Sequence, residues 1–360
     1  MKKILGIILA SALFLVSCGE KSLWYSDLEA AKKSAKKEGK DIYLLFSGDD
    51  WDGLSVTMKE KIVKTAEFEE YMKDKYILVN VDLSQDKFMK AQVGPEATKK
   101  EKKAAKKFAK EIEDINRLTM IYAIKQFPTA SILTSGGYKL TNVHYDELLE
   151  TPADYIANIT NEGVQRVITE RKAMIAKIDE SEGAEKANAI HELVGKTNMD
   201  EIFLVRDYVE ELPKIDPKNE SGLVPTYKIR AAYYYSFDPT TKAEEAEKAF
   251  IDLVDDEDLN DAEKFEAYFM AAYSLASKGS EDFDKILSYL DSANALENIE
   301  DYQKEMAADL IGKIKQLQLD MEKQAEEEKK AQEEAAKAAS EAEAAASVNT
   351  PKDDGTVSIK

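Results

Sequence analysis

The chain has 360 residues, of which 33% are charged, and its formal net charge is −20 at pH 7. Residues 19–165 hold 25 acidic and 23 basic side chains, whereas residues 166–360 hold 45 acidic and 25 basic ones. This length accommodates two domains, and the uneven charge indicates that they differ in kind. The acidic second part argues against a nucleic-acid partner and against its lying flat on anionic lipid, because both would repel it.

The N-terminus has the pattern of an export signal. Lys2 and Lys3 precede an apolar run over residues 4–16, which is too short to span a bilayer comfortably. The run ends in Leu15-Val16-Ser17-Cys18, and Cys18 is the only cysteine of the chain. This string resembles the lipobox of bacterial lipoproteins, in which the cysteine is acylated through sulfur, for example with palmitate, and becomes the new N-terminus.

The resemblance implies a signal peptide over residues 1–17 and lipidation at Cys18. Residues 18–25 are then the lipid anchor and a short tether. We expect the protein to be attached to a membrane of the cell envelope by this lipid, on the extracytoplasmic side, at the periplasmic face or the cell surface.

Between residues 26 and 166 the pattern alternates between helices and strands. Ser26 and Glu29 have capping-box spacing at the start of a first helix. The elements predicted after it are a strand at 41–46, a helix at 65–73, a strand at 76–82, a helical segment at 98–126, a hairpin with strands at 130–134 and 138–144, and a helix at 152–166.

The order of these elements resembles that of a thioredoxin-like domain. The residues that carry the resemblance are Ser47-Gly48-Asp49-Asp50-Trp51 after a strand, Phe68 in a helix, Asp82 at a strand end, and Phe127-Pro128-Thr129 before a hairpin. The nearest group is the exported thioredoxin-like proteins related to the C-terminal domain of the inner-membrane disulfide reductase. The resemblance implies an α/β thioredoxin-like fold for the domain at residues 26–166.

The chain departs from that family at its redox motif. Where such domains place Cys-x-x-Cys, after Trp51, this sequence has Asp52-Gly53-Leu54-Ser55. Thiol exchange needs an attacking thiolate and a second, resolving thiol, and neither Asp52 nor Ser55 supplies one. We therefore predict a protein that is not an enzyme and that uses no cofactor.

The surface around the lost motif is the first candidate site. In thioredoxin-like domains the residue after Phe127 is a cis-proline, and the backbone beside it pairs with an extended segment of a client. By this resemblance Trp51, Phe127, Pro128 and Thr129 line a peptide groove. The alternative, that these residues are kept only for folding, stays open because Pro128 also serves the turn geometry.

Two charge clusters offer further candidates. Asp49, Asp50 and Asp52 crowd one loop, but they lack the calcium-loop spacing, and solvated loop charge is the favoured interpretation over a metal site. Seven lysines lie between Lys99 and Lys110. A solvated helix face is the favoured interpretation, and the alternative is a surface for anionic headgroups or for the acidic C-terminal half.

The histidines give no support to a metalloenzyme. His144 and His191 are the only two in the chain, and neither lies in a spacing that is typical of metal ligands. Structural or surface roles are the favoured interpretation for both.

From residue 167 onwards the sequence predicts paired amphipathic helices with a spacing near 40 residues. Ala231-Ala232-Tyr233 recurs as Ala271-Ala272-Tyr273. The pattern resembles tetratricopeptide-like repeats, which implies an all-α helical-hairpin domain over residues 167–320 with a protein-binding surface. A helix cannot bury three consecutive tyrosines on one narrow stripe, so Tyr234 and Tyr235 are candidates for that surface.

The C-terminus is charged and low in complexity. A helix rich in Ala, Glu and Lys is expected over residues 321–346, because these residues have high helix propensity. A disordered tail is expected over residues 347–360.

Together these features predict an envelope lipoprotein that acts as a non-catalytic protein-binding or scaffold module. Its expected partners are unidentified envelope proteins and the membrane through the lipid anchor, with no nucleic acid. Two alternatives remain open. One is a chaperone-like client holder, and the other is an accessory subunit of a thiol-disulfide or envelope assembly system whose partner supplies the thiols.

Overall fold

The structure, a computed structural model, describes residues 23–348, with side chains described as far as residue 338. The predicted signal peptide, Cys18 and most of the tether lie outside the described residues, as does the predicted tail beyond residue 348. The chain divides into two compact units, Met1–Tyr208 and Val209–Lys360.

The first unit contains a five-stranded mixed sheet in the order β1-β3-β2-β4-β5. Strands β1 and β2 pair with β3 in parallel, whereas β4 pairs with both β2 and β5 in antiparallel fashion. The elements are β1 (Trp24–Tyr25), α1 (Leu28–Glu38), β2 (Asp41–Ser47), α2 (Gly53–Met58), α3 (Ala66–Lys73), β3 (Tyr76–Asp82), α4 (Gln85–Ala91), α5 (Lys99–Ile121), β4 (Thr129–Leu133), β5 (Lys139–His144), α6 (Pro152–Thr160), α7 (Glu162–Glu180) and α8 (Gly183–Gly195), with a π-helical turn at Lys59–Val63 and a 3-10 helix at Met199–Val205.

Strand β2 is covered on both faces. Its alternate residues point to opposite sides of the sheet, so Tyr43 and Leu45 enter one hydrophobic cluster while Ile42, Leu44 and Phe46 enter the other. The first cluster also receives residues of α2, α3 and α6, and the second receives residues of α1 and α5. The result is a three-layer α/β/α domain, as the resemblance implies.

A buried hydroxyl pair ties the first cluster together. The side-chain oxygens of Tyr43 on β2 and Tyr155 on α6 lie 2.8 Å apart, and both residues are fully buried. Burial raises the pKa of both tyrosine hydroxyls, so both stay neutral and share a hydrogen bond.

Most of the predicted elements are present, and the differences are two helix ends and one helix that the sequence did not predict. Helix α1 is capped by Asp27 rather than Ser26: the Asp27 side chain accepts the Ala30 N–H. The helix predicted at 152–166 is two helices, because Asn161 has an extended backbone and caps α7. Helix α4 lies between β3 and α5, where the sequence predicted no element.

The first unit extends well beyond residue 166, where the sequence placed the domain boundary. Ile168 of α7 is part of the first cluster. The Arg171 guanidinium donates to the Lys139 carbonyl at 3.2 Å and lies 3.5 Å from the Glu201 carboxylate. These contacts join α7 and the 3-10 helix to strand β5, so this helical segment belongs to the thioredoxin-like unit.

Lys139 is the buried centre of that junction. Its side chain is 1% exposed, and its ammonium lies 2.7 Å from Glu201 and donates to the Tyr122 carbonyl at 2.7 Å. Loss of hydration lowers the pKa of Lys139, and the hydrogen bond to Glu201 opposes that shift.

The second unit is helical throughout the part that the structure describes. Helix α9 (Arg206–Ile215) spans the boundary and is followed by α10 (Val224–Phe237), α11 (Ala243–Ile251), α12 (Asp261–Ser277), α13 (Phe283–Asn294) and α14 (Asp301–Val348). Helix α12 is central, since it contributes residues to three hydrophobic clusters of this unit. The two helix pairs α10–α11 and α12–α13 lie where the sequence predicted paired helices.

The predicted tyrosine surface of this unit is corrected by the structure. Tyr234 is only 1% exposed, because it shares the buried face of α10 with Tyr227, seven residues or about two turns earlier. Tyr235 is half-buried. The exposed aromatic side chains here are instead Phe237, Tyr273 and Tyr302.

Within residues 23–348, every helix is either too short or too polar to cross a bilayer.

The Lys139–Glu201 pair gives a direct test of the extended first unit. Replacing Glu201 by Gln leaves the Lys139 ammonium buried without its counter-ion, and removal of one partner of a buried pair costs about 3 kcal/mol of unfolding free energy. We expect this loss in urea unfolding followed by circular dichroism. The neighbouring Asp200 pairs with exposed Lys125, so Asp200→Asn is the matched control and should change little. Equal effects of the two variants would contradict the assignment.

Candidate functional site: the Trp51–Phe127 surface

The N-terminus of α2 carries the residues that replace the thiol pair. Asp52 is the N-cap of this helix, and one of its carboxylate oxygens accepts the Ser55 N–H at 2.8 Å and the Ser55 hydroxyl at 2.6 Å. Ser55 is 1% exposed, and its oxygen in turn accepts the Gly48 N–H at 3.0 Å. The two positions of the degenerate motif therefore hydrogen-bond to each other and complete the cap of the helix.

Trp51 lies beside this cap and is held in place although it is 49% exposed. Its indole N–H donates to the Leu83 carbonyl at 2.6 Å. Its ring packs over Gly48 so closely that a Cβ at that position would lie 2.5 Å from it. The ring also meets Phe127 edge to face, with centroids 5.6 Å apart. Three contacts thus fix an aromatic side chain whose outer part faces solvent.

The segment before β4 supplies the other side of the site. The Phe127-Pro128 peptide bond is cis, as the resemblance implied. Phe127 is half-buried, and its backbone lies outside the ladders of β4, which begin at Thr129.

Pro128 and Thr129 are not part of the exposed surface. Both are buried, and the Thr129 hydroxyl donates to the Gln126 carbonyl at 2.9 Å. The predicted groove of four side chains is therefore corrected: Trp51 and Phe127 present its surface, while Pro128 and Thr129 support it from below. We call this pair the Trp51–Phe127 surface.

The three neighbouring aspartates do not converge on a common point. Asp49 pairs with Lys59, Asp50 accepts the N–H groups of Gln85 and Asp86 at 2.7 and 2.9 Å, and Asp52 caps α2. The backbone N–H donors at the start of α4 lower the pKa of Asp50. Among the described residues, no group of three or more His, Cys, Asp or Glu side chains is arranged to hold a metal ion.

A second concave region lies beside the edge strand β5. His144 contacts the Thr129 hydroxyl at 3.2 Å through Nδ1 and also borders a cavity of about 430 Å³. The residues that line this cavity are Asn142, Val143, His144, Asp146, Leu148, Leu149, Asn158 and Val164. His144 thus connects the cavity wall to the segment under the Trp51–Phe127 surface.

Sequence reasoning missed the roles that three residues have at the site. Gly48 is required by the close approach of Trp51, Leu83 offers only its backbone carbonyl, and Asp50 caps α4 from a loop 35 residues away. The Ser47-Gly48 string marks a turn but not a ring stacked on it. A backbone acceptor and a cap from a distant loop leave no local signal in a sequence.

Two family profiles match the chain, one in each of its two regions. A family profile described as "Thioredoxin-like" matches residues 23–105, and one described as "Uncharacterised protein C-terminal domain" matches residues 223–323. A solved structure titled "DsbH Oxidoreductase" is 21% identical to this chain, covers 41% of it and 83% of its own chain, and superposes with a TM-score of 0.30. No curated protein is significantly similar to the chain. The protein therefore has an N-terminal α/β thioredoxin-like domain with a mixed sheet, followed by a mostly helical C-terminal region.

Proposed function

We propose that this protein is a non-catalytic envelope lipoprotein whose thioredoxin-like domain holds an extended segment of a partner protein against the Trp51–Phe127 surface. The helical C-terminal region would serve as the scaffold. Acylation of Cys18 belongs to the same proposal, and the mass of the processed N-terminal peptide tests it.

The single observation that supports a binding role is that Trp51 is fixed and yet half exposed. Tryptophan is enriched among the residues that dominate protein interfaces. A side chain that is already immobilised, here by Leu83, Gly48 and Phe127, loses little conformational entropy when a partner covers it.

The backbone around Phe127 supports an extended partner. Because the ladders of β4 begin at Thr129, the Phe127 peptide groups lie outside the sheet, while the Phe127 ring contacts Trp51. A partner strand that paired with this backbone would place a side chain against the two rings, which is how strand addition combines affinity with specificity.

In-cell photo-crosslinking tests the proposed function. We expect a photoreactive residue at position 51 to capture a discrete protein. The same residue at position 302, where Tyr302 is 61% exposed on α14, is the control for random encounter. If both positions capture the same mixture, the Trp51–Phe127 surface is not a specific binding site.

The identity of the captured protein distinguishes the two alternative functions. A partner that carries Cys-x-x-Cys favours the accessory role in a thiol-disulfide system, whereas many unrelated unfolded clients favour a chaperone.

Gly48→Ala tests whether the fixed position of Trp51 matters. A Cβ at Gly48 would overlap the indole, so the ring must move and lose its bond to Leu83. We expect about a tenfold weaker binding of the captured segment, as for loss of one well-placed aromatic contact. Acrylamide should also quench the tryptophan fluorescence more strongly, because the displaced indole is more exposed.

Gly136→Ala is the matched control for that change. A Cβ at Gly136 would meet only the Thr134 hydroxyl oxygen, at 3.6 Å, which is an ordinary contact. Its binding should stay at the level of the unchanged protein. If Gly48→Ala displaces Trp51 and the partner still binds equally well, the indole is not part of the binding site.

The absence of thiol chemistry is tested by insulin reduction. We expect the purified protein to show no activity above buffer, because Asp52 and Ser55 provide no thiol. The double variant Asp52→Cys with Ser55→Cys places two thiols at the start of α2, where the helix dipole stabilises a thiolate, and should gain activity. Each single cysteine variant lacks a resolving thiol and serves as the control. Reduction by the unchanged protein would contradict the proposal.

A further inference from the structure

We propose that the first three turns of α5, together with the exposed apolar side chains of the preceding segment, form a surface that binds anionic lipid headgroups. The surface consists of Lys99, Lys100, Lys102, Lys103, Lys106, Lys107 and Lys110 on α5 and of Phe88, Met89 and Val93 before it. We call it the basic face.

The lysines lie on one side of the helix. At about 100° per residue, all seven fall within an arc of about 160°. The opposite side carries Ala105, Ile112 and Ile115, which are buried. The lysines therefore project away from the domain, and all seven are exposed.

Few carboxylates neutralise this face. Lys107 lies 3.5 Å from Glu111 and Lys110 lies 3.4 Å from Asp114, both at the C-terminal end of the cluster. Within the described side chains, no carboxylate pairs with the other five lysines. Glu101 is the only acidic residue from Lys99 to Lys110, and its carboxylate is engaged by the Thr98 N–H and hydroxyl, each at 2.7 Å.

Exposed apolar side chains lie in the segment that precedes α5. Phe88, Met89 and Val93 are 38%, 62% and 43% exposed. The Lys102 ammonium donates to the Pro95 carbonyl at 2.9 Å, which holds the segment containing Val93 beside the start of the basic face. Lysines next to exposed apolar side chains are typical of surfaces that lie at the boundary between lipid headgroups and acyl chains.

The choice of lysine favours lipid over an acidic protein. Lysine is a compact point charge on a flexible stem, whereas arginine provides the planar fork that recognises a fixed carboxylate. The basic face contains no arginine. A layer of mobile anionic headgroups needs no fixed geometry and attracts each nearby lysine independently.

The part of the chain that carries the basic face has little net charge of its own. Residues 19–165 are nearly neutral, and the excess of carboxylates lies in residues 166–360.

Chemical labelling of lysines in the full-length protein tests this proposal. The protein is mixed with vesicles of phosphatidylcholine alone or with added phosphatidylglycerol, and the modification of each lysine is measured by mass spectrometry. We expect labelling of Lys99, Lys100, Lys103 and Lys106 to fall several-fold on the phosphatidylglycerol vesicles and to recover at high salt. Any binding through the apolar N-terminus is common to both vesicle types and cancels in the comparison.

A charge-matched pair of variants isolates the basic face. Replacing Lys99, Lys100, Lys103 and Lys106 by Gln should weaken the phosphatidylglycerol-dependent binding at least about tenfold, since each lysine near an anionic surface contributes. Replacing Lys304, Lys313, Lys323 and Lys330 of α14 by Gln changes the net charge equally and should have little effect, because each of these already pairs with a carboxylate on its own helix.

Two outcomes would overturn the proposal. One is labelling of the four α5 lysines that does not depend on phosphatidylglycerol. The other is protection without vesicles that is lost when Glu326, Glu327 and Glu328 are replaced by Gln, which would make the acidic C-terminal helix the occupant of the basic face.

Discussion

The parallel pairing of β2 with β3 is the constraint on which the site depends. In the register of this pair Ser47 lies opposite Asp82, so both strands end at the same edge of the sheet. The Leu83 N–H donates to the Ser47 carbonyl at 2.8 Å, which keeps the two chain segments together beyond the ladder. The Leu83 carbonyl in turn accepts a hydrogen bond from the Trp51 indole N–H. The exposed tryptophan is thus positioned by backbone geometry at the carboxyl edge of the sheet, where ligands of open α/β sheets bind.

The degenerate motif shows how a helix N-terminus is kept without its thiols. A thiolate at this place would be stabilised by the partial positive charge of the helix start, and the Asp52 carboxylate takes the same position with the same sign. The Ser55 hydroxyl donates a hydrogen bond to Asp52, and its oxygen accepts one from the Gly48 N–H. The pair therefore holds the shape of the loop that carries Trp51 and the adjacent aromatic surface.

The parts of the fold that could be predicted from the sequence are those with local signals. The buried runs of β2 and β3 lie where the pattern places them, and the helices predicted from residues 65 and 98 begin one residue later, with Thr65 and Thr98 as their N-caps. Ser26 was wrong as a cap because the adjacent Asp27 offers the same chemistry one residue later.

Contacts between distant residues left no such signal. Lys139 reads as an ordinary exposed lysine in a hairpin, yet Glu201, 62 residues away in the sequence, makes its burial possible. This pair is also why the boundary of the first unit could not be read from composition. Tyr234 was misassigned for a related reason, since which of three consecutive tyrosines is buried depends on the helices packed against α10 rather than on α10 itself.

Helices α5 and α14 both carry many lysines, but they differ in how these lysines are arranged relative to carboxylates. Helix α14 is highly charged, but Lys313 and Lys330 each pair with a carboxylate one turn earlier, which stabilises a solvated helix. Between Lys99 and Lys110, helix α5 instead places lysines next to lysines: Lys99 precedes Lys103, and Lys106 precedes Lys110, at the same one-turn spacing. Like charges at this spacing destabilise a helix. A role in solubility alone is served better by the arrangement of α14, so the concentration of one sign on α5 is better explained by an anionic layer that neutralises it.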